Sequence, residues 1–186
     1  LTGVVPTGAA RQVLRKAGPG EAPRLAVLKA TGYPCYPSAA GWVCYSNAKL
    51  QRLATEAVEA GFTHIKMKVG RDLDDDIRRL EIVRRVMGLD RTLMIDANQV
   101  WDVEEAIDWT IALKAADPWW IEEPTSPDHI PGQARLAQAV HPVRLATGEH
   151  CPHPTTCKPV FQAGGRPLPQ HDGCPTCGAK AVLPLV

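Results

Sequence analysis

No apolar run in this chain approaches the roughly 20 residues that a membrane span requires, so a membrane is not expected as its partner. An excess of one charge is equally missing. Twenty-one basic residues meet 20 acidic ones for a formal net charge of +1, and no block of like charge suggests nucleic acid or a lipid surface. No signal-peptide pattern follows Leu1, and an opening on Leu rather than Met fits an incomplete reading frame. Six cysteines among 186 residues do not make a secreted disulfide scaffold. A cytosolic or organelle-matrix protein is the expectation these features leave.

What is present is an alternation. With 45% apolar residues the chain can build a sizeable core. Four short apolar segments each end in a charge: His64–Val69, Leu93–Asn98, Trp119–Pro124 and Leu145–Glu149. Helical patterning separates them. Leu50, Leu53, Ala54, Ala57 and Val58 have helical spacing behind the N-cap candidate Ser46, and Gly61 ends the run. Ile77, Leu80, Val83, Arg84 and Met87 mark a second helix, which opens on Asp74, Asp75 and Asp76, where acids suit the positive end of the helix dipole. Asp102 with Glu105 reads as a capping box before a third, and Ile130–Val140 as a fourth. Met94, Trp120 and Ala146 recur at equal steps, each the length of one strand plus one crossover helix. A parallel α/β sheet, part of a barrel or an open sheet, is expected, with Gly41–Tyr45 as a further strand.

Upstream, Arg11–Ala17 and Arg24–Ala30 are short helices separated by the breaker Gly18-Pro19-Gly20. Residues 1–40 read as linker and the approach to the sheet, 41–150 as the alternating α/β unit, and 151–186 as an irregular tail rich in Pro, Gly and Cys. Within that tail, Cys151, His153, Cys157, His171, Cys174 and Cys177 include one Cys-x-x-Cys of zinc-knuckle spacing. Its would-be second half is poorly spaced, which favours incidental thiols.

Asp96, Glu122 and Glu149 stand at the ends of three successive strands. A single acid at such a place commonly just enters a solvated loop. Three in register repel one another unless a cation joins them or one is protonated, and an all-carboxylate set favours hard Mg²⁺. Lys66 and Lys68, two apart on one strand, leave on the same face and need a polar interior. A lysine beside a divalent cation can act as a general base.

Lys66-Met67-Lys68, Asp96-Ala97-Asn98, Ile121-Glu122-Glu123-Pro124 and Thr147-Gly148-Glu149, in that order, resemble the catalytic-domain motifs of the enolase superfamily, mandelate-racemase subgroup. Gly32-Tyr33-Pro34, Gly41-Trp42, Gly61–Gly70, Asp96–Gln99 with Trp101-Asp102, and Trp120–Pro127 narrow the resemblance to its L-fuconate dehydratase branch, over residues 9–150. The resemblance implies a partial (β/α)8 TIM-type barrel of four or five strand–helix units. It also implies Mg²⁺-dependent dehydration of an acid sugar. Asp96, Glu122 and Glu149 would hold the metal, which stabilises an enediolate. Lys68 would take the proton alpha to the carboxylate, Lys66 would support the carboxylate's charge, and Asn98 would position substrate. A Lys or His base beside Mg²⁺ is this superfamily's general pattern. The β-hydroxyl would then leave as water.

Another acid-sugar dehydratase or racemase of the subgroup is the alternative, as is a truncated chain without activity. Family members carry an N-terminal capping domain and later strands with an Asp–His pair, and this sequence shows neither in recognisable form. The likeness is expected to stop near His150, as though a shifted frame or alternative exon followed. A half-barrel exposes sheet edges and uncovered core, which predicts association between copies.

Overall fold

A computed structural model describes residues 8, 11, 12, 15, 16, 18–150 and 168–170. Five parallel strands form one sheet in chain order: β1 (His64–Lys68), β2 (Thr92–Asp96), β3 (Pro118–Glu122), β4 (Arg144–Thr147) and β5 (Leu168–Pro169). Among the described residues, the α-helices with defined ends are α1 (Glu21–Thr31), α2 (Asn47–Glu59), α3 (Leu73–Met87), α4 (Val103–Leu113) and α5 (Ile130–Ala139). Consecutive parallel strands with intervening helices are the repeating unit of a (β/α) barrel, here present in part.

Local chemistry sets the element ends. Ser46 Oγ accepts from Lys49 N at 3.3 Å, Asp72 Oδ1 from Asp75 N at 2.8 Å and Asp102 Oδ1 from Glu105 N at 2.9 Å. Each caps the first turn of a helix, where N–H groups lack intrahelical partners. Gly61 (φ 87°) and Gly88 (φ 76°) end α2 and α3 in the left-handed region. One face of the sheet is apolar. Ile65, Met67, Leu93, Ile95, Ile121 and Leu145 are buried with Leu50 and Ala54 of α2, Leu80 and Val83 of α3, and Ala106 and Leu113 of α4. Because strand side chains alternate, this pattern commits Lys66, Lys68, Asp96 and Glu122 to the opposite face. The register brings them level: Lys68 opposite Asp96, and Asp96 opposite Glu122. The equal steps expected between β2 and β3 conceal an irregularity. Leu93 pairs with Pro118 but Ile95 with Ile121, so β3 carries one extra residue and bulges at its tryptophans.

Two expectations are corrected. Gly41–Tyr45 is not a strand. It turns out of a 3₁₀ segment, Ala39–Gly41, with Tyr45 N donating to Trp42 O. The carbonyls of Gly41 and Trp42 both accept from Arg79 Nη2 at 2.9 Å, and Lys66 N on β1 donates to Pro37 O. The fifth strand lies instead beyond His150: Leu168 and Pro169 pair with Ala146 and Thr147. The α1 helix forms where Arg24–Ala30 was expected, and its residues are all exposed. Of Arg11–Ala17, the described residues Arg11, Gln12, Arg15 and Lys16 are helical. The tail's Cys151, His153, Cys157, His171, Cys174 and Cys177, and the segment 179–186, lie outside the described residues.

Arg79 is the tie between α3, the end of β1 and the segment before α2. Fully buried, it donates to Asp76 Oδ1 (2.8 Å), Lys68 O (2.9 Å) and the two carbonyls named above. Asp76 also accepts from Gly70 N at 2.6 Å. Burial pushes the Asp76 carboxyl above its ordinary range, while Gly70 N–H and the guanidinium act against that rise. Removing one partner from such a buried pair strands the other. Arg79→Met is expected to cost about 3–5 kcal/mol of stability, read as a lowered urea midpoint.

Candidate active site

The carboxyl ends of β1, β2 and β3 carry one compact charge cluster. Lys66 Nζ donates to Glu122 Oε2 at 2.7 Å and lies 3.0 Å from Asp96 Oδ2. Lys68 Nζ donates to the same Asp96 Oδ2 and to Asn98 Oδ1, both at 2.7 Å. The other Asp96 oxygen accepts from Asn98 N at 3.1 Å. Asp96 and Glu122 are almost wholly buried, Lys66 nearly so, and Lys68 part-exposed. Burial pushes Glu122 above the usual carboxylate range, and the neighbouring Asp96 charge adds to that, against Lys66. Burial by itself would draw the Lys66 ammonium down. The Glu122 hydrogen bond and the Asp96 charge outweigh it and hold Lys66 above the ordinary lysine value.

The loops that leave these strands are held in unusual backbone. Asn98 (φ 50°), Gln99 (φ 65°) and Glu123 (φ 39°) lie in the left-handed region, uncommon for Gln and Glu. Gln99 N donates to Glu123 O and Trp101 N to Pro124 O, so the β2 loop is pinned to the β3 loop. Non-glycine residues held in this way concentrate at functional sites.

Five of the six expected site residues thus meet: Lys66, Lys68, Asp96, Asn98 and Glu122. Glu149 does not join them. It sits two residues past β4, exposed at the rim, with its charge felt at Tyr36 and His150. Among the described residues no three of His, Cys, Asp and Glu are grouped closely enough to hold a metal ion. The donor set nonetheless fits Mg²⁺. Asp96 and Glu122 offer the oxygen donors that a hard cation takes, and the Lys66 ammonium now supplies the positive charge between them.

Three residues of the site were not foreseen. Glu123, buried, accepts from Gln99 Nε2 at 2.9 Å and from His150 Nδ1 at 2.7 Å. Its place next to Glu122 gave the pattern a visible acid, but strand alternation alone would turn it from Glu122's face. His150 is half-exposed, and the Glu123 hydrogen bond raises it above 6.5, against a smaller lowering by burial. Gln170, next to β5, hydrogen-bonds Glu122 through its side chain, and its N–H donates to Thr147 O. Irregular composition hid that contact.

The chain's fold class and site chemistry are those of a barrel protein with lysines facing acids at the strand ends, and the comparisons define the class further. Residues 49–183 match the family model described as enolase C-terminal domain-like. Mitochondrial enolase superfamily member 1 of Homo sapiens is 42% identical over 94% of this chain and 40% of its own length. L-galactonate dehydratase of Hypocrea jecorina is 38% identical over the whole chain and 42% of its own. The crystal structure of the human protein superposes with a TM-score of 0.86 at 41% identity, over 92% of this chain and 40% of that one. L-talarate/galactarate dehydratase of Salmonella typhimurium, liganded with Mg and L-lyxarohydroxamate, gives 0.75 at 31% identity, over 81% and 38%. The chain belongs to the enolase superfamily. It spans about 40% of the length of the curated relatives it matches. The family match extends past His150, so the likeness does not stop where the recognisable motifs do.

The His150–Glu123 pair carries its own pH dependence. A histidine raised in the folded state stabilises it fully below about 6.5, and that contribution is lost as pH rises through the folded value. The imidazole signal of His150, followed by NMR, is expected to titrate above 6.5 in the wild type. In Glu123→Gln it falls back toward 6.5, and the decline of stability across that window flattens with it.

Proposed function

We propose that this chain carries the metal- and proton-handling half of a Mg²⁺-dependent acid-sugar dehydratase, a hydro-lyase of the L-fuconate dehydratase kind. One observation supports it above the rest: Lys66 and Lys68 leave one face of β1 and meet Asp96 and Glu122 from two further strands. Relatives named as L-galactonate and L-talarate/galactarate dehydratases favour an acid sugar as substrate.

In this reading Asp96, Glu122 and Glu149 hold Mg²⁺. Bound there, the metal supplies positive charge to the substrate carboxylate as negative charge accumulates on it. Lys68 Nζ, aimed by Asp96 and Asn98, takes the proton from the carbon alpha to that carboxylate. Lys66, held charged between Asp96 and Glu122, balances the carboxylate. Asn98 orients both Lys68 and substrate. The electron pair freed from the alpha C–H forms the new double bond as the β C–O bond breaks, and the hydroxyl takes a proton from solvent and leaves as water. Gly148 (φ 121°) lies between β4 and Glu149 and supplies the backbone freedom that would let Glu149 turn inward.

The "mitochondrial" in one relative's name favours the mitochondrial matrix over the cytoplasm as the place of action. No helix among the described residues is long and apolar enough to cross a membrane. The second reading is a chain that binds metal without turnover, or acts on another acid sugar of the subgroup. It is favoured by Glu149, which stands exposed at the rim, apart from Asp96 and Glu122.

Calorimetry with MgCl₂ separates these readings. The wild type is expected to bind saturably and Asp96→Ala to lose binding. Lys68→Met is expected to keep Mg²⁺ but to lower the loss of water from L-fuconate or L-galactonate by about 10²–10⁴-fold, the range of a general base. Absence of Mg²⁺ binding by the wild type overturns the proposal, and binding without turnover selects the second reading.

A further inference from the structure

The segment just before α2 has no part in the chemistry above, yet it places two aromatic rings over the two lysines. Tyr36 has its ring centroid 5.8 Å from Lys66 Nζ, and Trp42 has its own 5.9 Å from Lys68 Nζ. Both rings remain open to solvent, Tyr36 by 37% and Trp42 by 48%. A ring that is both exposed and set against a lysine of the cluster is open to a ligand that reaches that lysine.

The rings are not loosely draped. Pro37 O accepts from Lys66 N at 3.1 Å, which fastens the segment along the free edge of β1. Arg79 binds the carbonyls of Gly41 and Trp42 from below while holding Lys68 O, so one guanidinium sets both the ring and the lysine beneath it. Gly41 lies so close to β1 that an added Cβ would fall 2.6 Å from Met67 Cα. Tyr36 is braced edge-on against Trp120 at 6.0 Å between centroids. Its hydroxyl feels the charges of Lys66, Glu122, Asp96 and Glu149, so the ring borders the carboxylate site itself.

From this geometry we infer that Tyr36 and Trp42 form a specificity subsite, an aromatic wall on which the hydroxylated carbon chain of the acid sugar packs its C–H face. The inference rests on the acid-sugar reading above and adds the residues that choose among acids. Each C–H carbon bearing a hydroxyl is slightly positive and meets the negative face of a ring, while the hydroxyls turn toward polar groups. The rings stand at the lysine end of the cluster, continuous with the place where a substrate carboxylate is held. A short α-hydroxy acid would touch the lysines and metal alone. A longer polyhydroxy acid would reach the wall.

The test uses two acids, L-galactonate and glycolate, each titrated by calorimetry into the full chain with saturating MgCl₂. Tyr36→Leu and Trp42→Leu are expected to weaken L-galactonate by about five- to tenfold and glycolate by less than about twofold, with Trp42→Phe close to wild type. Mg²⁺ titration without acid is expected to match the wild type in all three, which shows that the site is folded. Equal weakening of both acids, or of neither, overturns the wall and leaves the acid-sugar reading standing. A wild type that binds Mg²⁺ but neither acid overturns the acid-sugar reading, and the wall with it. Should Trp42→Leu fail to fold, Tyr36→Leu decides the matter alone.

Discussion

Two carboxylates lie side by side out of water at the ends of β2 and β3, and Lys66 is what makes that tolerable. Burying Asp96 alone would be costly, and burying it level with Glu122 adds repulsion to desolvation. The Lys66 ammonium touches both, and Lys68 takes a second share of Asp96. The arrangement spends stability on charge that a hydrophobic core would not need, which is the usual signature of a site arranged for chemistry rather than for packing. Much around it serves to hold these four groups level. The register pairs Lys68 with Asp96 and Asp96 with Glu122, and the apolar residues on the other face permit no slip, since a one-residue shift would turn every charge into the core.

A second tie works beneath the first. Arg79 and Asp76 are a buried pair on α3, remote in sequence from Gly41 and Trp42, and they join the approach segment to the strand that bears the lysines. Besides its bond to Asp76, Arg79 donates to backbone carbonyls, which accept without regard to side-chain identity. The tie therefore holds the path of the chain and leaves Trp42 and Tyr36 free to be chosen for what they face. The β2 and β3 loops are coupled in the same manner through Gln99 and Glu123, and Glu123 passes the connection on to His150. Each strand end in the cluster is thus braced from a neighbouring loop.

The helices α2 to α5 and the strands β1 to β4 were legible because their signals are local. Caps at Ser46 and Asp102 depend on a side chain reaching an N–H three residues away, and amphipathic spacing depends on a period the residues themselves carry. Gly41–Tyr45 misled for the converse reason. Its apolar and aromatic residues suit a strand, but Arg79, far along the chain, takes the carbonyls that a ladder would use. β5 escaped notice because two residues beside a proline carry no period, and only the open edge of β4 gives them a partner.

The sequence by itself determined which residue types stand at the strand ends, that both lysines share a face, and that three acids recur one per unit. Those facts follow from the two-residue period of a strand and the length of a crossover. The tertiary structure alone decided that Lys66 bridges Asp96 and Glu122, that Lys68 turns to Asp96 and Asn98, and that Gln170 reaches Glu122. It decided also that Glu149 stays at the rim and that two rings overhang the lysines. Each of these depends on register, on the bulge in β3 and on competition for partners between segments distant in the chain. A period read along one segment carries no information about which group on another will win that competition.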